Sequence, residues 1–554
     1  MSARRRTPAA PKAPSRPPSG PSGARVVATI TLVLAVTVCV FAQVATFEFV
    51  QWDDPSNVSQ NPYLALPFAE AVGHFWRHLH FGSYIPVTRT LWVMLWKLSP
   101  QPGVFHVANL VVHLANVLLV FVLMRRLGLA ALGAGAGALL FAIHPVQVEP
   151  VAWVTGMKDV LGMFFTLLAL TLAIPYLRPS GATGAPPHTT AIGLSTVCFM
   201  LAMLSKATAV TLPLLVIPLA FALGSSWRRV LPVAAVWAGL ALPLVLATRA
   251  AESQVSNMLQ VPLASRPLVM ADAFGFYLVK LFVPLGLSPI YDRPPGVVMT
   301  DPMAYGFALV ASGLAVLLVW SRRQSPWPAV AGAFFALALL PVSGLVTFVY
   351  QNTSTVADRY LYFAMLGPAI ALAWGIGASR PTAAGWAAVG VVLLVLAGLS
   401  VRQVQYWRSD RALFERVLAI NPRSAIGHNN LGLVLARQGR LDEAMRRFRV
   451  ALEIQPTLAN AHMNLGFALY LKGHPDSAIA ESRAAVRAFP GGAQGRINLG
   501  LLLSRYGDPE EAKLHLREGL RLAPFDTAAR GALERLESRP AGVPSPGKGP
   551  ASGP

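Results

Sequence analysis

The sequence predicts an all-α protein: a polytopic helical membrane body followed by a solenoid of tetratricopeptide-type repeats. Three observations predict it. Of 554 residues, 54% are hydrophobic and 13% charged, and the mean hydropathy is +0.52, a balance of polytopic membrane proteins rather than soluble domains. Apolar runs long enough to cross a bilayer succeed one another through roughly the first 400 residues. Behind them Asn-Leu-Gly recurs at 430–432, 464–466 and 498–500, and proline at 422, 456, 490 and 524, at steps of 34 residues.

Residues 1–24, with Arg4, Arg5 and Arg6 among many Pro, Ser and Gly, have too little apolar surface to bury and are expected to be disordered. The run 26–47 reads as an uncleaved anchor, because no small-residue cleavage site clearly follows it. Further candidate spans are 104–124, 128–143, 160–177, 191–223, 229–248, 303–320, 327–348, 360–378 and 384–401. If 191–223 makes two passes, 269–286 lies flat or re-enters; if it makes one, 269–286 spans. Both counts give eleven crossings.

Arg125-Arg126, Arg178, Arg228-Arg229, Arg322-Arg323 and Arg380 mark turns that face the cytoplasm by the positive-inside rule, and the two-pass count keeps Arg228-Arg229 there. An odd count then puts the repeats on the non-cytoplasmic side. The membrane domain is drawn at 25–403 and the repeat domain at 404–537, with units near 425–458, 459–492 and 493–526, before a Pro/Gly/Ser-rich tail, 538–554, expected to be disordered.

The excess of 46 Lys+Arg over 25 Asp+Glu sits largely in short inter-span turns and the leading tail, so membrane topology accounts for it and a nucleic-acid partner is not expected. Cys39 and Cys198 both lie inside apolar runs, which excludes a disulfide framework and a cysteine-based metal site.

On this topology the ionisable residues of the body collect on the outer side, where a charge needs a partner or a wet cavity. Asp53 and Asp54 are adjacent on a Pro-bounded loop and cannot share one helical face. One can therefore project into a cavity while the other is held by backbone or a cation. His144, Glu149, Lys158 and Asp159 follow the third apolar run, Lys206 interrupts another, and Asp358-Arg359 opens a later one. A guanidinium forks its donors and keeps its charge, so Arg359, with Lys206, suits an anion. The competing reading of Asp159 and Asp358 is a salt bridge to a neighbouring cation that ties helix ends together. The histidines 106, 113 and 144 lack metal-ligand spacing.

In the repeats, Gly432, Gly466 and Gly500 allow close helix packing, Gly439, Gly473 and Gly507 fit the turn, and Ala444, Ala478 and Ala512 fit the tight contact on the second helix. Residues 407–421 read as a preceding second helix, joining the stack to the last span with little linker. Asn430, Asn464 and Asn498 recur at one position and are expected to line the concave groove, where side-chain amides can pair with an extended peptide backbone.

Trp52-Asp53-Asp54 with Asn61-Pro62, Tyr84-Ile85-Pro86-Val87-Thr88, Phe105-His106 with Asn109, His144-Pro145 with Glu149-Pro150-Val151-Ala152-Trp153 and Lys158-Asp159, Ser205-Lys206, Ala357-Asp358-Arg359-Tyr360-Leu361-Tyr362 and the repeat tail stand in one order. Together they resemble the transmembrane and tetratricopeptide repeat-containing O-mannosyltransferase-like family over about 45–535. Relatives often carry arginine where Ile85 stands and glutamate where Asp358 stands.

The resemblance implies a glycosyltransferase C-type membrane fold. It also implies transfer of a sugar, with mannose the family-based expectation, from a polyprenyl-phosphate carrier to a protein Ser/Thr hydroxyl on the non-cytoplasmic face. The base then falls on Asp53 or Asp54, and the cation for the departing donor phosphate on Arg359 or Lys206. A divalent cation at Asp53 or Asp54 is conceivable, without a supporting cluster. The Ala/Arg/Pro-rich composition points to a bacterial inner membrane with periplasmic repeats. The alternative reading is a non-catalytic, membrane-anchored repeat scaffold for envelope assembly partners. A transporter is disfavoured, because no inverted repeat is visible.

Overall fold

The computed structural model describes residues 23–80, 82–178, 189–253, 261–321 and 325–538. The leading tail, the Arg322-Arg323 turn and the closing tail beyond 538 lie outside them. Among the described residues the regular structure is entirely helical.

Six helical segments are long and apolar enough to cross a membrane: Gly23–Thr46, Pro102–Arg126, Val154–Leu177, Trp227–Ala250, Pro302–Trp320 and Ala383–Trp407. Two bent pairs bring the number to eight: Ala131–Ile143 with Pro145–Ala152, bent by 54°, and Asp358–Ala364 with Leu366–Ser379, bent by 47°. Among the described residues helix length thus supplies six spans, or up to eight if each bent pair is one span, and the eleven crossings expected are reached only if Thr189–Ser205, Ala207–Ala222 and Pro326–Val342, apolar but shorter, also cross. The 191–223 run is two helices broken at Lys206, and the 269–286 region forms Arg266–Phe282.

Without a hydrophobic force between helices inside lipid, close packing must come from small residues. Ala131–Ile143 carries Gly133 and Gly137 against Leu366–Ser379, where a Cβ on either would stand 2.4 Å from the carbonyl oxygen of Ala373 or Ala369. The two helices that bend are therefore packed on each other. Their irregular ends are buried in protein, which is where broken backbone is tolerated at membrane depth.

The repeats form helix pairs Ala425–Arg437 with Leu441–Ile454, Ala459–Leu471 with Pro475–Ala488 and Ala493–Tyr506 with Pro509–Leu522, closed by Thr527–Glu537. Ala444, Ala478 and Ala512 are fully buried. A Cβ at Gly432 would meet Phe448 at 2.6 Å and one at Gly500 would meet Leu516 at 2.7 Å, so these glycines set the helix spacing. Gly439 and Gly473 turn with φ of +78° and +82°. Gly507 departs from the expected pattern: it is extended at φ −127°, and its constraint is space, since a Cβ would lie 2.4 Å from the Leu503 side chain.

The preceding helix, Asp410–Ile420, follows the last span through the short turn Gln405–Trp407. Trp407 is buried against Trp153 of the membrane body, ring centroids 5.9 Å apart, and one apolar core runs from the body through Phe414, Leu431 and Phe448.

Candidate functional site

The loop after the first span is knotted by its own acid. Asp54 is fully buried; its Oδ2 accepts from Val50 N at 3.0 Å and its Oδ1 from Thr155 N at 3.0 Å and Thr155 Oγ1 at 2.7 Å. Burial pushes its pKa up to about 7 against the pull of those donors. With both oxygens occupied, Asp54 is a staple between the first outer loop and the turn Val154–Gly156.

Asp53 projects the other way. Its side chain is 47% exposed and stands 3.9 Å from Lys158 Nζ, while its backbone carbonyl accepts from the main-chain and side-chain nitrogens of Asn57, each at 3.0 Å. Of the twin acids, Asp53 alone has oxygens free to face a substrate or an ion.

The bent helices supply the rest. Glu149 sits on the short helix after the first bend, and its carboxylate accepts from Arg359 Nη1 at 2.7 Å and from Arg359 N at 3.0 Å, both at buried positions. One carboxylate therefore ties the two bent elements together. The Arg359 guanidinium lies over Tyr350 at 4.3 Å and over Tyr360 at 5.1 Å, within the range of cation–π attraction.

Lys206 forms a salt bridge with Asp159 and lies 5.9 Å from the Tyr360 ring, and Lys158 lies 5.1 Å from the Trp153 ring. The cations chosen as anion ligands thus come together on the Asp53 face, but Lys206 and Arg359 each already hold a carboxylate. Lys158, at 3.9 Å from its acid, is the loosest pair of the three.

Among the described residues no cation forms a salt bridge with Asp358. It accepts from the Tyr291 hydroxyl at 2.7 Å, and burial raises that phenol's pKa. His144 serves its own bend: its Nε2 is 3.0 Å from Leu281 O, and its Nδ1 accepts from Val146 N at 3.4 Å, capping the turn Pro145–Gln147. It belongs to the frame and not to the charged face.

Arg89 escaped the sequence reading. It is 1% exposed and holds the 80–83 turn through His80 O at 2.6 Å and Ser83 O at 3.1 Å; burial lowers its pKa to about 9. His80 beside it is pushed down to about 3 by burial and then by the Arg89 charge. The signal is an arginine in the first turns of the apolar helix Pro86–Leu98, one turn beyond Ile85 and far from Lys97 at the helix end.

An apolar cleft of about 910 Å³ lies beneath the His144–Leu281 contact, lined by residues such as Leu140, Phe274, Phe335, Pro368 and Leu393. A second cavity of about 360 Å³ in the repeats is lined by Met463, Phe467, Tyr470, Asn498 and Arg505 among others. The repeat asparagines are partly engaged with one another: Asn464 donates to Asn429 at 2.9 Å, Asn429 to Asn430 at 3.0 Å, and Asn498 accepts from Gln494 at 2.9 Å. Among the described residues no group of three or more His, Cys, Asp or Glu could hold a metal ion.

The repeats and the Asp53 loop share one face. Gln51 N donates to Asp410 at 2.5 Å, Arg437 donates to the Gln51 side chain at 2.8 Å, and Tyr63 meets Phe525 at 5.6 Å.

Residues 413–446 match a tetratricopeptide repeat family and residues 434–473 a second TPR repeat family. The chain is 27% identical to Protein O-mannosyl-transferase TMTC4 of Homo sapiens, over 75% of this chain and 64% of that one. It is 26% identical to Protein O-mannosyl-transferase TMTC3 of Mus musculus, over 70% of this chain and 45% of that one. It therefore spans about half to two thirds of the length of these relatives.

Among solved structures, ArnT from Cupriavidus metallidurans bound to undecaprenyl phosphate aligns at 16% identity and a TM-score of 0.39, over 86% of this chain and 81% of that one. At that score the likeness says nothing of function. The alignments over 70–75% of the chain, the apolar helices and the repeats agree: the chain is a multi-pass membrane homologue of the O-mannosyl-transferases, with tetratricopeptide repeats.

Proposed function

We propose that the chain is a glycosyltransferase of the C-type fold that moves a sugar, with mannose the reading taken from its relatives, from a polyprenyl-phosphate carrier to a protein Ser/Thr hydroxyl. The observation that carries this reading is the Asp53 carboxylate, exposed on the face that also bears three cations and the repeat stack.

Asp53 takes the proton of the acceptor hydroxyl as that oxygen attacks the anomeric carbon from the side opposite the phosphate. The carbon–oxygen bond to the phosphate breaks with inversion, and the leaving phosphate carries away the electron pair. Lys158, loosely held by the acid that becomes protonated, is freed to face the phosphate, and Lys206 and Arg359 lend charge from behind their carboxylates. If a divalent ion takes part, Asp53 is the acid with oxygens available to it. The carrier's tail lies in the apolar cleft below His144, and the acceptor in the repeat groove along Asn430, Asn464 and Asn498. The site belongs on the periplasmic side of a bacterial inner membrane.

The pairing of Lys206 with Asp159 and Arg359 with Glu149 also suits a membrane-anchored scaffold that performs no chemistry. Mass spectrometry of exported proteins decides between them. O-linked hexose present with the wild-type gene, and lost with its deletion and with Asp53→Asn, supports the enzyme; hexose unchanged in both favours the scaffold.

A further inference from the structure

The loop that presents Asp53 is held from two sides. From the membrane body, Thr155 N and Oγ1 donate to Asp54 Oδ1 at 3.0 and 2.7 Å, and the other oxygen of that carboxylate accepts from Val50 N at 3.0 Å. From the repeat domain, Asp410 accepts from the next amide, Gln51 N, at 2.5 Å. Arg437, in the last turn of the first repeat helix, donates to the Gln51 side chain at 2.8 Å and stands 3.7 Å from the Asp410 carboxylate. The same contact continues at Glu48, whose amide donates to Arg408 O at 3.3 Å. Gln51 lies two residues from Asp53. These bonds cross more than 350 positions of sequence and join a repeat helix to the segment that carries the candidate base.

A repeat stack serving only to hold an acceptor has no need to grip this loop. We infer that Asp410 and Arg437 are positioning residues for Asp53, so that the repeat domain supplies part of the reaction centre as well as a docking groove. This rests on the glycosyltransferase reading above. Two carboxylates on consecutive amides fix the backbone at Val50 and Gln51, and the direction of the Asp53 side chain follows from that backbone. The first repeat helix also carries Asn429 and Asn430, so an acceptor lying along it touches the same rigid rod that ends at Arg437.

The test uses the full-length protein in nanodiscs with a polyprenyl-phosphate sugar donor and a short Ser/Thr peptide acceptor. Arg437→Ala and Asp410→Ala are each expected to lower kcat at least tenfold with acceptor KM within twofold. Amide hydrogen exchange over 48–54 should rise in both. Arg437→Lys should recover part of the kcat, because it restores the charge and a single donor. If Arg437→Ala does not fold, Gln51→Ala removes the same bond from the other partner and is read the same way. A rise in KM alone, wild-type kcat, or unchanged exchange in these variants overturns the inference. Asp53→Asn separates the two levels. If it is inactive while Arg437→Ala turns over normally, the positioning role alone fails; if Asp53→Asn keeps wild-type turnover, the enzyme reading itself fails.

Discussion

The adjacent acids Asp53 and Asp54 should respond to the same substitution in opposite ways. Asp53→Asn removes a carboxylate that is 47% exposed and 3.9 Å from its partner cation. Such a pair contributes about 0–1 kcal/mol, so the thermal midpoint should hardly move. Loss of a general base, however, lowers turnover by roughly 10²–10⁴-fold.

Asp54→Asn is different, because three donors converge on a fully buried carboxylate. An asparagine that keeps its oxygen on Thr155 turns its NH₂ toward Val50 N–H, leaving buried donors face to face at a cost of about 1–3 kcal/mol. Asp54→Ala strands all three donors and should cost on the order of three times as much if the terms add. The assay is thermal unfolding in detergent alongside the initial rate of sugar transfer per folded molecule. A variant set in which Asp54→Asn abolishes transfer at an unchanged midpoint while Asp53→Asn stays active would refute the assignment.

Glu149→Gln should destabilise the protein by about 3–5 kcal/mol, because it leaves the buried Arg359 charge uncompensated; Glu149→Gln with Arg359→Met should recover part of that in the same unfolding measurement. Burial raises the Asp54 pKa from 3.8 to about 7, so the fold binds that proton more tightly than the unfolded chain does. Its stabilising contribution is complete below 3.8 and lost as pH rises through 7. The wild-type midpoint should therefore fall between about pH 4 and pH 7 more steeply than that of Asp54→Asn, and parallel curves would place the titration elsewhere. Cysteines introduced at Ala65 and at Lys472 should react with an impermeant maleimide from the same side of the membrane, since loop and repeats share a face; labelling from opposite sides would exclude the arrangement. Phe467→Ser, which removes an aromatic ring 56% exposed in the repeat cavity, should raise acceptor KM several-fold with kcat retained.

Much of this architecture was legible in the chain because it is written in periods. The 34-residue step of Asn-Leu-Gly and proline located the repeats, and helix packing demanded glycine at 432 and 500 wherever the neighbouring helix lay. Apolar runs located the body for the same reason: in lipid every backbone polar group must be satisfied within a helix. Their number was less secure, because charge punctuation marks turns but does not say whether a short apolar helix crosses. Gly507 shows the limit of analogy between repeats, since equivalent glycines answered different needs.

Composition and periodicity dictate a helical protein in which a membrane body precedes a repeat stack, and they name the ionisable residues able to meet on one face. Which of those residues pair depends on the folded arrangement. Asp53 and Asp54 are identical in kind and adjacent, and what separates them is Thr155, about a hundred positions away, which captures one and leaves the other facing Lys158. Arg359 and Lys206 suit an anion by residue type, and the fold sets Glu149 and Asp159 beside them. Local periodicity fixes secondary structure because it acts between near neighbours. A charge takes its role from whatever the fold brings within about 4 Å of it, and that proximity is not encoded at any one position.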